Sequence, residues 1–302
     1  MDSSRLLEPI LYGDMFDHPL TIEEVWQFAP VKCTLDEVKT VFETDSLLKE
    51  KIVEKNGCYC FKGRDRIVDI RKMCLQRSEI LWKKARFVAS LIQYVPFVKA
   101  VAITGSLAMN NSRAKGDIDF FVFTEEKRLW MVFAVLGTLG RLTKGRMFCP
   151  NYYLSIGHYP LRRRDFFTAR EIAQAKPLIG FSYYKDFLKL NGWVTDYLPN
   201  FNCNLNWGIE ILQHRLPKTL KRVLERLLTG AVGDKLEKIF KTILKSRLHV
   251  HHEIFNSELD QETFTNAINE VELRFHGHGH RESILLEFQK RLKSIYANIQ
   301  PE

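Results

Sequence analysis

The 302-residue sequence lacks an apolar run long enough to cross a bilayer. Its longest uncharged stretch near the middle is residues 129–140, which falls short of the roughly 20 residues that a spanning helix needs. The first twenty residues carry four acids and no basic region followed by an apolar run, so they lack the pattern of a secretion signal. We therefore expect a cytoplasmic protein without a membrane span.

Cysteine is scarce and scattered. The six cysteines include no CxxC pair, and without a secretory context reduced thiols are expected. Cys58 and Cys60 form a CxC, which indicates two residues on one face of a strand rather than half of a zinc site. Internal repeats and low-complexity segments are also absent, so the organisation must be inferred from changes in hydrophobic periodicity.

The composition that remains is that of a globular protein with an excess of basic residues. Hydrophobic residues make up 45% of the chain and charged residues 27%, which is too apolar for a disordered chain. The length allows roughly two to three domains. The net charge of +9 favours anionic partners such as nucleotides, nucleic acid or acidic surfaces.

Residues 1–64 are predicted to form a winged-helix-like domain. A first helix precedes a turn at His18 and Pro19, and Thr21 and Thr34 are the expected N-caps of two further helices. Asn56 and Gly57 lie between two apolar-rich runs, which predicts a tight hairpin.

The charge of the third helix of this domain, predicted over residues 35–48, indicates whether the domain binds DNA. Winged helices often bind duplex DNA through that helix. Here it carries four acids against one lysine, which is a poor surface for phosphates. Packing against protein is therefore favoured, and nucleic-acid binding stays an alternative.

Residues 65–176 are predicted to form a small mixed-sheet domain, which opens with a long connecting helix over residues 65–94. The run FVKAVAIT predicts a short buried strand, because it is continuous, β-rich and closed by Gly105 and Ser106. DIDFFVFT and MFCPNYYLS predict two further strands. The expected fold class is α/β (α+β), with this domain flanked by the N-terminal winged helix and a helical C-terminal domain.

Asp117 and Asp119 open the second of these strands. Alternate residues of a strand face the same side, so the two carboxylates should converge. Because like charges repel, the pair is sensible if a divalent cation such as Mg²⁺ or Mn²⁺ neutralises it and holds phosphate oxygens. Gly105 lets the backbone approach a phosphate without a Cβ, and Ser106 adds a hydroxyl and an N–H. Together these residues predict a triphosphate site.

This pattern resembles the nucleotidyltransferase superfamily of the DNA polymerase beta type. The family signature is an apolar strand, Gly-Ser or Gly-Gly, about ten residues, and then Asp-apolar-Asp followed by apolar residues. The likeness is clearest over residues 98–124, less than a fifth of the chain. The matching residues are Gly105, Ser106, Asp117, Ile118, Asp119, Phe120, Phe121 and Val122.

The resemblance implies that Asp117 and Asp119 are catalytic and bind the metal ion, and that Gly105 and Ser106 bind the nucleotide phosphates. Lys115, between the two strands, is a further candidate for binding the phosphates. The implied reaction is in-line attack of an acceptor on the α-phosphate of a nucleoside triphosphate, with release of pyrophosphate. The acceptor, a small molecule, protein or nucleic acid, is not specified.

One departure from the family concerns a third carboxylate. Active members usually carry it on a later strand, but MFCPNYYLS contains no acid and Asn151 is its only metal-capable amide. The nearest later acids are Asp165 and Glu171, which only folding can bring to the site. The alternative is therefore a non-catalytic nucleotide-sensing or DNA-binding regulator built on a degenerate transferase fold.

Residues 177–302 are predicted to form a helical C-terminal domain, which in similar enzymes usually selects the acceptor. Over residues 215–248, ten lysines and arginines stand against three acids. Basic amphipathic helices of this kind are suited to nucleic acid or an anionic membrane surface. An ordinary helix bundle with a solvated face explains the pattern as well.

Overall fold

The computed structural model describes residues 2–114, 116–142, 148–202, 219–255, 268–275 and 280–297. Within these ranges lie a five-stranded mixed sheet with helices on both faces and a separate two-stranded hairpin. The chain is therefore a mixed α/β protein, as predicted. No helix in the described ranges combines the length and apolar character that crossing a membrane requires.

The N-terminal unit consists of short helices followed by the hairpin. Thr21 and Thr34 begin α2 and α3 as predicted, each in a capping box with the glutamate three residues later. Asn56 and Gly57 both have positive φ, which a two-residue hairpin turn requires. The elements are α1 (Leu7–Asp14), α2 (Ile22–Phe28), α3 (Leu35–Thr44), α4 (Ser46–Lys51), β1 (Ile52–Lys55) and β2 (Cys58–Phe61).

The prediction of one helix over residues 35–48 is wrong, because Asp45 divides it. Asp45 is extended and ends α3, and its carboxylate accepts a hydrogen bond from the Leu48 N–H at 2.9 Å to begin α4. An aspartate side chain competes in this way for backbone donors and favours caps over helix interiors.

The five-stranded sheet has the order β6-β3-β4-β5-β7. β4 pairs antiparallel with β3 and parallel with β5, while β6 and β7 pair antiparallel with β3 and β5. The predicted boundary at residue 176 falls inside β6, and β7 comes from the region predicted to be helical. That region is thus not helical throughout. The strands are β3 (Val98–Ile103), β4 (Asp119–Thr124), β5 (Cys149–Ser155), β6 (Lys176–Ile179) and β7 (Glu272–Arg274).

Helices cover both faces of the sheet. Ala89 of α5, Trp130 of α7 and Leu244 of α12 share a hydrophobic core on one face, whereas Ala173 of α8 and Phe187 of α9 pack on the other. The helices beyond the hairpin are α5 (Arg66–Ile92), α6 (Gly105–Ala108), α7 (Leu129–Leu142), α8 (Phe166–Gln174), α9 (Phe181–Leu190), α10 (Val194–Tyr197), α11 (Thr219–Leu227), α12 (Ala231–Phe255) and α13 (His280–Ala297).

The N-terminal unit is joined to the sheet domain by aromatic packing. The Tyr12 ring of α1 meets the Phe166 ring of α8 and the Phe288 ring of α13, with centroids 5.4 and 5.5 Å away. Phe166 and Phe288 stack at 5.0 Å. The guanidinium of buried Arg170, also on α8, lies 3.5 Å from the centroid of the Phe28 ring of α2. These contacts fix α8 between the N-terminal unit and the sheet.

Candidate metal and nucleotide site

The bend after β3 lies directly against the first residue of β4. Gly105 has φ +62°, and a Cβ on this residue would overlap Oδ2 of Asp119. The Thr104 N–H donates to the Asp119 carbonyl oxygen at 3.1 Å, which fixes the two chain segments side by side. Glycine is thus required at position 105 for two reasons, the left-handed backbone and the approach of the carboxylate.

Asp117, Asp119 and Cys149 form a group of potential metal ligands. One ligand atom of each lies within 4.8 Å of the others. Asp119 and Cys149 are paired residues at the start of the parallel strands β4 and β5, and the Cys149 thiol is hydrogen-bonded to Asp117. Asp117 is exposed, whereas Asp119 and Cys149 are half-buried, so the group opens to solvent on one side.

Among the described residues, this group has acids rather than cations beside it, and the pKa values of Asp119 and Cys149 are raised. Burial, with Asp117 and Glu171 nearby, raises the pKa of Asp119 to about 7. Burial, with Asp119 and Asp117 nearby, also raises the pKa of the Cys149 thiol to about 12. A bound cation would favour the ionised forms and thereby lower these pKa values.

Asn151 positions the Asp119 carboxylate. Its Nδ2 donates to Asp119 Oδ1 at 2.6 Å, from a side chain that is almost completely buried. Its Oδ1 is buried and has no hydrogen-bond partner within the described residues. An unpaired buried oxygen next to a carboxylate costs free energy, and a cation or a hydrated ligand bound in the site would supply the partner that it lacks.

Glu171 lies beside the site, and Asp165 is occupied elsewhere. The Gly105 N–H donates to the Glu171 carboxylate, and burial raises the pKa of that carboxylate to about 7 against the opposing influence of Arg170. Asp165 instead caps α8 through the Thr168 N–H at 2.9 Å and forms an ion pair with Arg281. Of the two later acids, Glu171 is therefore the one next to the glycine bend.

The predicted phosphate ligands are only partly placed by the structure. Ser106 follows Gly105 in α6 and is exposed, whereas Lys115 lies outside the described residues. Arg113, in the same loop, forms an ion pair with Asp17 of the N-terminal unit at 2.6 Å. Arg128 is buried against Asp234 at 2.7 Å, which is a structural arrangement rather than a phosphate contact.

Sequence reasoning brought together Gly105, Asp117 and Asp119 but missed Cys149. The signal for it was its place at the start of the third strand, because parallel neighbours bring their first residues to one edge. The two carboxylates fit a hard divalent cation. The thiol is a softer ligand than Mg²⁺ or Mn²⁺ prefers, so the two carboxylates rather than Cys149 are the expected ligands of either ion.

This chain matches no protein-family model, and neither the curated proteins nor the solved structures include one similar to it. The function of the protein is therefore inferred from the geometry of the site.

Proposed function

We propose that this protein is a metal-dependent nucleotidyltransferase that transfers a nucleotidyl group from a nucleoside triphosphate to a hydroxyl acceptor. The observation that carries the proposal is the contact of the Gly105 bend with Asp119, with Asp117 alongside. It places a bend suited to a phosphate against two carboxylates at one end of a mixed sheet.

Each residue of the site has a role in this proposal. Asp117 and Asp119 hold Mg²⁺ or Mn²⁺, Asn151 orients Asp119, and Gly105 and Ser106 contact the triphosphate. The cation would neutralise charge on the phosphates as the acceptor oxygen bonds to the α-phosphorus and the bond to pyrophosphate breaks. The acceptor's hydroxyl proton would pass in the same step to a water molecule on the open side of the site, where Asp117 is exposed.

The position opposite Asp119 supports a particular form of this site. The β5 residue paired with Asp119 is Cys149 rather than an acid, and the later acid next to the bend is Glu171 on α8. Glu171 accepts a hydrogen bond from the Gly105 N–H, so it holds the bend rather than the substrate. We therefore expect a two-carboxylate metal site that takes Mg²⁺ or Mn²⁺.

The N-terminal unit is better explained by packing within the chain than by DNA binding. Asn111 and Arg113, in the loop between the two halves of the motif, donate to the Phe16 carbonyl oxygen at 3.1 and 3.3 Å. Arg113 also pairs with Asp17. The acidic α3 offers few contacts to phosphates. The unit thus supports the loop that leads into Asp117.

The direct test is incubation of the protein with each α-labelled nucleoside triphosphate and Mg²⁺ or Mn²⁺. Pyrophosphate release and self-labelling are then measured for wild type, for the Asp117→Asn, Asp119→Asn double variant and for Asp186→Asn. Asp186 is a matched control because it is an exposed acid on α9 that, within the described part of the chain, forms an ion pair with Lys189 one turn away. Activity in wild type and Asp186→Asn, but not in the double variant, is expected.

Two other outcomes separate the alternatives. Nucleotide binding without pyrophosphate release would indicate a sensor built on the same fold. Salt-sensitive binding to duplex DNA with no nucleotide binding would indicate a DNA-binding regulator and would contradict the proposal.

A further inference from the structure

Two C-terminal helices expose apolar side chains in regular stripes. Leu220, Val223 and Leu227 of α11 recur at helical spacing on one side of a helix that buries none of its residues. Leu220 and Leu227 are 70% and 66% exposed. On α12 the exposed apolar residues are Val232, Ile239 and Ile243.

These stripes are separate from the sides of the helices that pack on the protein. α12 contacts the core through Leu236, Phe240 and Leu244, whose mean direction lies about 80°, less than a quarter of a turn, from that of the exposed stripe at 3.6 residues per turn. α11 is held by Lys221, whose Nζ donates to the Gln93 and Val98 carbonyl oxygens at 3.0 and 2.8 Å. The exposed stripes are therefore available in addition to the packed faces.

Three acids of the two helices contact the rest of the protein. Glu225 accepts from the Phe97 N–H at 2.8 Å, and Asp234 pairs with buried Arg128. Glu237 accepts from the N–H groups of Trp130 and Met131 at 2.8 and 2.9 Å, where it caps α7. The carboxylates of α11 and α12 thus accept hydrogen bonds from the segment before β3 and from the first turn of α7.

Several cations of the same helices are exposed. Those that are exposed and form no ion pair within the described residues are Arg222, Arg226, Lys235, Lys238 and Arg247. We call these cations, together with the six exposed apolar residues, the outer face of α11 and α12. Each helix carries exposed cations without an ion pair in the described residues and an exposed aliphatic stripe.

We propose that this outer face binds the surface of anionic lipid bilayers. Exposed aliphatic stripes next to unpaired cations are the two features that interfacial helices use, the first for the acyl boundary and the second for the headgroups. Nucleic acid needs the cations but gains little from leucine and isoleucine. α12 packs on the face of the sheet opposite to α8, and no residue of the outer face has a role in the proposed metal and nucleotide site.

Flotation with phosphatidylcholine vesicles, with and without phosphatidylglycerol, tests this proposal on the full chain. Wild type binds the anionic vesicles and not the neutral ones. Arg222→Gln with Arg226→Gln weakens binding about fivefold for each cation removed. Leu220→Ser with Leu227→Ser weakens it by about tenfold or more, because acyl-boundary contacts are lost.

Met73→Ser is the matched control, since Met73 is 49% exposed on α5 and lies outside the outer face. It should bind like wild type, and circular dichroism on heating should show that all variants fold. Equal loss in Met73→Ser and Leu220→Ser, Leu227→Ser, or no binding of wild type to anionic vesicles, overturns the proposal. So does binding to duplex DNA without vesicle binding, or a dimer that the leucine changes dissociate.

Insertion gives a second readout. A tryptophan introduced by Val223→Trp should be quenched by brominated lipid in anionic vesicles, whereas one introduced by Met73→Trp should not. Quenching at both positions or at neither contradicts the assignment of the outer face.

Discussion

Two buried groups of charged residues in this chain are built in opposite ways. Glu24 of α2 meets Arg71 of α5 through hydrogen bonds of 2.6 and 3.1 Å, and His18 lies beside it. Burial alone would raise the pKa of Glu24, but hydrogen bonds from His18 and Arg71 lower it to about 2. This group holds its carboxylate ionised with partners from its own chain.

The group at Asp119 has no such balance. Among the described residues, the charged neighbours that act on Asp119 are the acids Asp117 and Glu171, and its pKa rises to about 7 where that of Glu24 falls. A paired carboxylate between two elements holds the fold together. A carboxylate with acids beside it destabilises the folded protein, and a cation bound there would offset that cost.

The largest expected effect is on the unbalanced group. Asp117→Asn with Asp119→Asn should lower nucleotidyl transfer by at least about 10³-fold, because it removes the charges that hold the cation at the phosphates. Pyrophosphate release under saturating nucleotide measures it. Loss of activity in the control variant Asp186→Asn, or full activity in the double variant, would contradict the distinction between the groups at Asp119 and Glu24.

The second expected effect is on stability, at the balanced group. Glu24→Gln should lower the free energy of unfolding by about 3 kcal/mol, because it leaves the partly buried Arg71 without its carboxylate. Urea denaturation measures this change, with Glu23→Gln as the control on the exposed side of α2. Equal effects of both variants would mean that Arg71 does not depend on the pairing.

The third expected effect separates backbone strain from overlap with Asp119. Gly105→Ala should cost about 2 kcal/mol or more in the free energy of unfolding, because it adds both an unfavourable φ and a contact with the carboxylate. Gly57→Ala, at φ +75° with open space around it, adds only the strain and should cost about 1 kcal/mol. Equal costs at the two glycines would show that the bend does not press on Asp119.

The smallest expected effect is the pH dependence of stability in metal-free buffer. Because the pKa of Asp119 is raised from 3.8 to about 7, the folded protein binds more protons than the unfolded chain between those values. The contribution is fully present below pH 3.8 and is lost as pH rises through about 7. The Glu171 carboxyl acts in the same direction.

Asp119→Asn should therefore raise the free energy of unfolding of the metal-free protein at pH 8, by on the order of 1 kcal/mol. Thermal melts at several pH values measure it. Stability of wild type that rises between pH 4 and pH 7, with no gain from Asp119→Asn, would place Asp119 with the balanced carboxylates.

Local features of the chain were predictable from sequence, and long-range ones were not. Thr21, Thr34 and the turn at Asn56 and Gly57 depend on neighbours within a few residues, so their patterns were sufficient. Gly105 and the aspartate pair were found because the glycine bend and the Asp-apolar-Asp spacing are local signals. The prediction that both aspartates lie on the strand is wrong, because β4 begins at Asp119 and Asp117 precedes it. The break at Asp45 was not predicted, because the hydrophobic stripe over residues 35–48 favoured one continuous helix over the capping preference of Asp45.

The rest depends on pairing between distant segments. β7 has only three residues and is defined by its partner β5, so no period marks it in the sequence. Cys149 reaches Asp119 through the register of parallel strands, and Glu171 reaches Gly105 because α8 packs beside the bend. The Glu24 and Arg71 pair likewise joins residues 47 positions apart.

The most direct test of the cation site is titration of Mn²⁺ by calorimetry, in the presence of each nucleoside triphosphate, on wild type and on the Asp117→Asn, Asp119→Asn variant. We expect one Mn²⁺ with its nucleotide to bind wild type and not the variant. Heat that is equal in the two proteins, or absent from wild type with all the nucleotides, would contradict a metal site at these aspartates.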